Sequence, residues 1–195
     1  MEERGLKNNY IYTLIKFALF LLILCFLVEL TKVFWNVLGD IEKFNLNILI
    51  LSILSLFIFY NFIADLNNVY KKIQNFFFRS SFFSLLFPAL LLALGLGYFF
   101  LPKILNLHIN HNIFIFLGGF VFTGHLTFIS RELKGHSFNS FINYLFIFSI
   151  LYILNIVLFG LYLSNDFTLD MGEIVLQGMM NGAVLIQNIF VQILR

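Results

Sequence analysis

Charge is what this chain has least of. Asp, Glu, Lys and Arg make up 11% of its 195 residues, where a soluble domain uses roughly a quarter to cover its surface. Water therefore cannot be the solvent of most of this molecule, whereas lipid can. Cysteine is nearly missing as well. The single Cys25 excludes an intrachain disulfide, a CxxC redox pair and a thiolate metal site. A formal charge of +2 gives too little basic surface for nucleic acid. No HExxH, GxSxG, P-loop or GxGxxG occurs, so no catalytic motif is found and no enzyme is expected.

What is present is apolar length. Hydrophobic residues reach 61% and the mean hydropathy is +0.94. A helix crossing the ~30 Å hydrocarbon layer needs about 20 mostly apolar residues. Six runs fit that requirement, at residues 10–38, 46–64, 81–101, 113–130, 138–163 and 174–194. The expected fold is all-α, a polytopic transmembrane bundle of six helices forming a single integral membrane domain over residues 1–195. The polar stretch 1–9 precedes an apolar run too long for a signal peptide, without a small-residue cleavage site, so the first helix is expected to be retained.

Hydropathy alone allows five helices plus a C-terminal amphipathic one, because the sixth run is interrupted by amides. The basic residues favour six. Arg4, Lys7, Lys71, Lys72, Arg79, Arg131, Lys134 and Arg195 fall on one side of an alternating six-helix path, and only Lys43 and Lys103 on the other. Cytoplasmic loops collect Lys and Arg, so both ends of the chain are expected inside. The last outer loop is acidic instead, with Asp166, Asp170 and Glu173. The expected location is a bacterial cytoplasmic (inner) membrane. Within the first run, Lys16 and Lys32 are about 24 Å apart along a helix, so each can reach an opposite interface, and Trp35 fits an interfacial anchor.

Polar groups inside such helices are costly and mark function or packing. Gln177, Asn181, Asn188 and Gln192 share one stripe of the sixth helix, and Gly178 and Gly182 form a GxxxG beside it. The stripe either lines a solute path or hydrogen-bonds to another helix, which places this helix inside the bundle or against a partner subunit. Gly119, Thr123 and Thr127 form a small-residue packing face on the fourth helix, with His125 one position away. His125 can relay protons or ligate metal, or be a satisfied core histidine. Glu29 is a coupling carboxylate or a boundary charge paired with Lys32. Pro88 should kink the third helix, which also carries Gly95 and Gly97. Residues 65–80 place Val69, Tyr70, Ile73, Phe76 and Phe77 at helical spacing among Lys71, Lys72 and Arg79, either an amphipathic cytoplasmic helix or an ordinary basic loop.

His108 and His111 could begin an outer metal site with the acidic loop, but zinc needs at least three protein ligands, so no metal is expected. No cofactor is expected either. A membrane haem wants histidines at matching depth on two helices; only His125 is clearly intramembrane, and His136 just precedes the fifth helix.

Six helices in so short a chain, with both ends inside, resemble in size and topology the substrate-binding subunits of vitamin transporters. That resemblance implies a small-solute carrier component. The small-residue motif those proteins carry in the first helix is missing, Ala18 being the only alanine there. Three functions are open, of which a membrane enzyme or haem protein has the least behind it. The chain is a small-solute or ion transporter, or the membrane subunit of one, in which case the polar groups should converge on one cavity. Alternatively it is a non-catalytic subunit that scaffolds or anchors a larger complex. The lipid bilayer is the expected partner, with other membrane subunits or a homo-oligomer beside it and no nucleic acid.

Overall fold

The computed structural model describes the backbone of residues 2–62, 66–105, 110–134 and 138–195, and the side chains of 11–60, 62, 66–100, 104, 110–134 and 140–195. The side chains of Arg4, Lys7, Asp65, Lys103, His108 and His136 lie outside the described residues.

Every element among the described residues is helical: α1 (Glu2–Asp40), α2 (Leu46–Phe62), α3 (Leu66–Phe77), α4 (Ser81–Leu86), α5 (Ala89–Leu105), α6 (His111–Glu132), α7 (Phe138–Leu163) and α8 (Met171–Ile193). Four of them, α1 from Ile11 onward, α6, α7 from Ser140 onward and α8, are long and apolar enough to cross a membrane. Helices α2 and α5 are apolar but shorter, with 17 residues each, or about 25 Å at 1.5 Å per residue.

Short polar residues start the helices at one end of the molecule. The Asn45 side chain accepts from the amide of Asn47 at 3.1 Å ahead of α2. Asn110 accepts from Asn112 at 2.8 Å ahead of α6. Asp170 accepts from Gly172 and Glu173 at 2.9 and 3.1 Å ahead of α8. Each side chain satisfies amides that a helix start leaves without a partner.

One expectation needs correction. The third apolar run is not a single helix kinked at Pro88. It is two helices, α4 and α5, with extended backbone at Phe87 between them (φ −115°, ψ 125°). The proline ring disfavours helical geometry in the residue before it, so the helix stops and restarts. Residues 66–77 form the amphipathic helix α3, resolving the alternative of an ordinary loop.

The helices alternate in direction, so polar groups sort to two ends. At the basic end, the Lys16 ammonium donates to Asn143 at 2.7 Å. Lys71 pairs with both Glu132 oxygens at 2.8 and 2.9 Å, and the Arg131 guanidinium lies 4.6 Å from the Tyr60 ring centre. At the acidic end, Phe44 packs edge-on against Phe167, beside Asp166 and the Asp170 cap. The buried core lies toward this acidic end. It includes Leu30, Phe34 and Leu38 of α1, Leu49 of α2, Phe114 and Ile115 of α6, and Phe159 and Leu163 of α7. Toward the basic end of α1 and α8, Leu14, Leu21, Val191 and Ile193 are exposed.

Among the helix pairs that meet closely at glycine are α2 with α6 and α8 with α1. Helix α2 lies on α6 where Ser52 and Leu49 fill the space a side chain at Gly119 would need. Helix α8 lies on α1 so closely that a Cβ at Gly178 would fall 2.8 Å from the Leu30 Cα, and one at Gly182 2.6 Å from Phe26 Cδ1. In lipid no hydrophobic force drives helices together, and such close approach supplies the packing that does.

Candidate functional site

The break between α4 and α5 gathers three buried polar side chains, Gln74, Ser84 and His125. An interrupted helix exposes carbonyls and amides that must find partners inside the protein. Two side chains supply them. Gln74 of α3 donates from Nε2 toward the Phe87 carbonyl at 3.3 Å and accepts at Oε1 from the Ala89 amide at 3.4 Å. His125 of α6 donates from Nε2 to the Leu85 carbonyl at 3.2 Å. That bond fixes the tautomer, because a carbonyl can only accept. His125 Nδ1 is then the acceptor, facing Gln74 Nε2 at 2.9 Å and the Tyr70 hydroxyl at 3.1 Å. Gln74 and His125 are both 0% exposed. Burial also pushes the Tyr70 phenol up from its ordinary value, with the Gln74 hydrogen bond opposing it, so the hydroxyl stays a proton donor.

The node therefore ties three elements together: amphipathic α3, the broken α4–α5 pair and the long apolar α6. Its chemistry is hydrogen-bond satisfaction. Both His125 nitrogens are occupied, so an axial bond to haem would first require the node to open. The Ser84 hydroxyl, 3% exposed beside the break, has no hydrogen-bond partner.

A second node closes the acidic end. The Tyr98 hydroxyl of α5 donates to Asp166 Oδ1 at 2.6 Å, and His111 Nδ1 meets Asp166 Oδ2. Between the two nodes the interior is filled with rings. Tyr98 lies 4.1 Å from Phe114, which stacks on Tyr162 at 4.2 Å, and Phe122 stacks on Phe159 at 4.5 Å. No polar path joins the nodes among the described residues of this ring stack.

The residues singled out from the sequence fall in five places. His125 is in the broken-helix node. Glu29 pairs with Lys32 at 2.6 Å on α1. Gly119 and Thr123 face inward on α6, where the Thr123 and Thr127 hydroxyls donate to carbonyls four residues back, Gly119 and Thr123, at 2.8 and 2.9 Å. Gly178 and Gly182 are buried against α1. The amides Gln177, Asn181, Asn188 and Gln192 are all exposed on α8. The structure thus does not bring these polar groups together. Two surface grooves avoid them too. One of about 220 Å³ lies between α5 and α7, lined by Gly95, Leu96, Tyr162 and Asn165 among others. One of about 290 Å³ lies between α1 and α8, lined by Ala18, Cys25, Ile186 and Ile189 among others.

Of the metal speculation, the structure brings His111 to Asp166 and uses Asp170 as a helix cap. Among the described residues no group of three or more His, Cys, Asp or Glu could hold a metal ion. Sequence reading passed over Gln74 and Asn155. Asn155 is a fully buried amide of α7 whose Nδ2 donates to the Leu151 carbonyl at 2.8 Å while Oδ1 has no partner. Gln74 left one signal, an amide inside the amphipathic turn of α3 facing a proline break. No family model, curated protein or solved structure matches the chain.

Proposed function

We propose that this chain is a six-crossing integral membrane subunit, with its basic end on the cytoplasmic side, whose role is to build a larger membrane assembly without catalysing a reaction. In this topology α2 crosses by itself, α5 crosses as the continuation of the broken α4, and α3 lies at the cytoplasmic surface. Exposed Phe76 and Phe77 on α3 suit the membrane interface.

The observation that carries the assembly role is the direction of the α8 amides. Asn181 lies ten residues into the helix, about 15 Å from its outer end, which is mid-bilayer depth. An amide exposed there has no water to bond with and is costly without a partner. Among the described residues the chain itself supplies none, because its own helix packing uses the glycine face of α8. Native mass spectrometry of the full chain, released from its membrane in mild detergent, tests this. A species heavier than the 22.8 kDa chain is expected. A chain that is monomeric in mild detergent and in nanodiscs contradicts the assembly role.

One observation favours a second reading, transport of a small solute or ion. Carriers often place discontinuous helices at their binding sites, and the α4–α5 break with its buried polar node is such an element. In this reading the packed ring stack is the closed state. Solute-dependent protection of the node from hydrogen exchange would support transport over assembly alone.

A further inference from the structure

The amide stripe that supports the assembly role also carries information about the partner, whose identity can be inferred only if that assembly reading holds. We infer that the partner is a second copy of this chain, joined through α8 in parallel and in register.

The geometry starts from the helix itself. At 3.6 residues per turn, Gln177, Asn181, Asn188 and Gln192 fall within about 60° of arc. The stripe is centred roughly 75° round the helix from the buried side made by Met171, Ile174, Gly178 and Gly182. It is therefore a lateral face, free to meet another helix while α1 keeps the glycine face. On the far side the lipid-exposed residues are apolar, with Leu176, Met180 and Val184 exposed, apart from Gln187 toward the basic end.

The stripe is also chemically selective. All four side chains are carboxamides, each with two N–H donors and a carbonyl acceptor. They carry no charge, so a charged partner helix would gain no ion pair and would bring an unpaired charge into lipid. A carboxamide is complementary to another carboxamide. Every copy of a membrane chain inserts with the same orientation, so a two-fold axis along the membrane normal brings each residue opposite its own equivalent at the same depth. Such an isologous contact uses one patch twice. Asn181 would meet Asn181 of the second copy, and Asn188 its own equivalent. An unrelated helix would need amides at four matching depths to do as well.

Cysteine cross-linking of the full chain in native membranes tests this. In a Cys25→Ser background, single substitutions are made at Asn181, Asn188 and, as a control, Ala183. Ala183 is exposed at a similar depth but lies about 150° from the stripe. All three side chains are exposed, so folding is not disturbed by lost internal contacts. A disulfide needs Cα atoms within about 7 Å, so the stripe positions should yield roughly tenfold more covalent dimer than Ala183→Cys. Equal, weak cross-linking at all three positions overturns the second-copy inference. If native mass spectrometry of that same sample then shows a different chain bound, the assembly role stands and only the identity of the partner was wrong. If it shows a monomer, both fail together.

Discussion

Placing valine at both Gly178 and Gly182 is expected to separate α8 from α1 and to cost about 3 kcal/mol of stability, at the upper end of what overpacking a tight contact costs. At Gly178 the added Cβ meets the Leu30 Cα at 2.8 Å, and at Gly182 it meets the Phe26 Cα at 3.0 Å. Backbone atoms cannot turn aside as a flexible side chain can, so a whole helix must shift. Beyond the glycines, α8 is held by Met171 and Ile174 near its start. Gly124→Ala is the matched control. Its Cβ would find the Leu56 Cδ1 at 3.6 Å, an ordinary contact, and little change is expected. Reversible unfolding in mixed micelles with increasing SDS checks both, read as the shift in midpoint.

Replacing Gln74 with leucine is expected to cost a similar amount, roughly 2–4 kcal/mol, because each buried polar group left unsatisfied costs about 1–3 kcal/mol. The leucine fills much of the volume but removes the acceptor for the Ala89 amide and the donor toward Phe87 and His125. The effect should be local before it is global. Hydrogen exchange at Ala89 and its neighbours should accelerate, since the break loses its cap, while exchange in the middle of α7 stays unchanged. By contrast, Lys71 and Glu132 join the same α3 and α6 on the exposed side, where an ion pair is worth at most about 1 kcal/mol and is screened by salt. It is the buried amide, not the visible ion pair, that holds α3 to the bundle.

The contrast shows what could be read from residues and what could not. The apolar runs were legible because lipid imposes one length on every crossing. The run 138–163 matches α7 at both ends, and α6 and α8 are longer than the expected helices by two or three residues at their capped starts. Asn110 and Asp170 explain the difference, since a cap extends a helix into the polar region where hydropathy falls. The Pro88 break was legible as a disturbance and not as a full stop. Whether a proline kinks or ends a helix depends on what satisfies the freed backbone, and here that is Gln74, fourteen residues upstream of Pro88.

Direction was the harder quantity. The amide stripe and the GxxxG of α8 are neighbours in sequence but occupy different arcs of the helix. Only one arc can face α1, and the glycines take it because nothing larger fits against Leu30 and Phe26. His125 could be placed in the interior from its setting on α6, but its partners come from α3 and α4, more than 35 residues upstream. No local spacing encodes a contact of that range.

The proposed six crossings, with both ends of the chain on the basic side, underlie both the depth of the α8 amides and their proposed pairing, and sidedness labelling reaches that topology directly. In the Cys25→Ser background, single cysteines replace Lys43 and Thr168 at the acidic end, and Lys72, Lys134 and Arg195 at the basic end. A membrane-impermeant maleimide added to intact cells should label the first pair, and the other three only after lysis. Labelling of Arg195→Cys from outside intact cells would show that α8 does not complete a sixth crossing with its end inside, and would contradict the proposed topology.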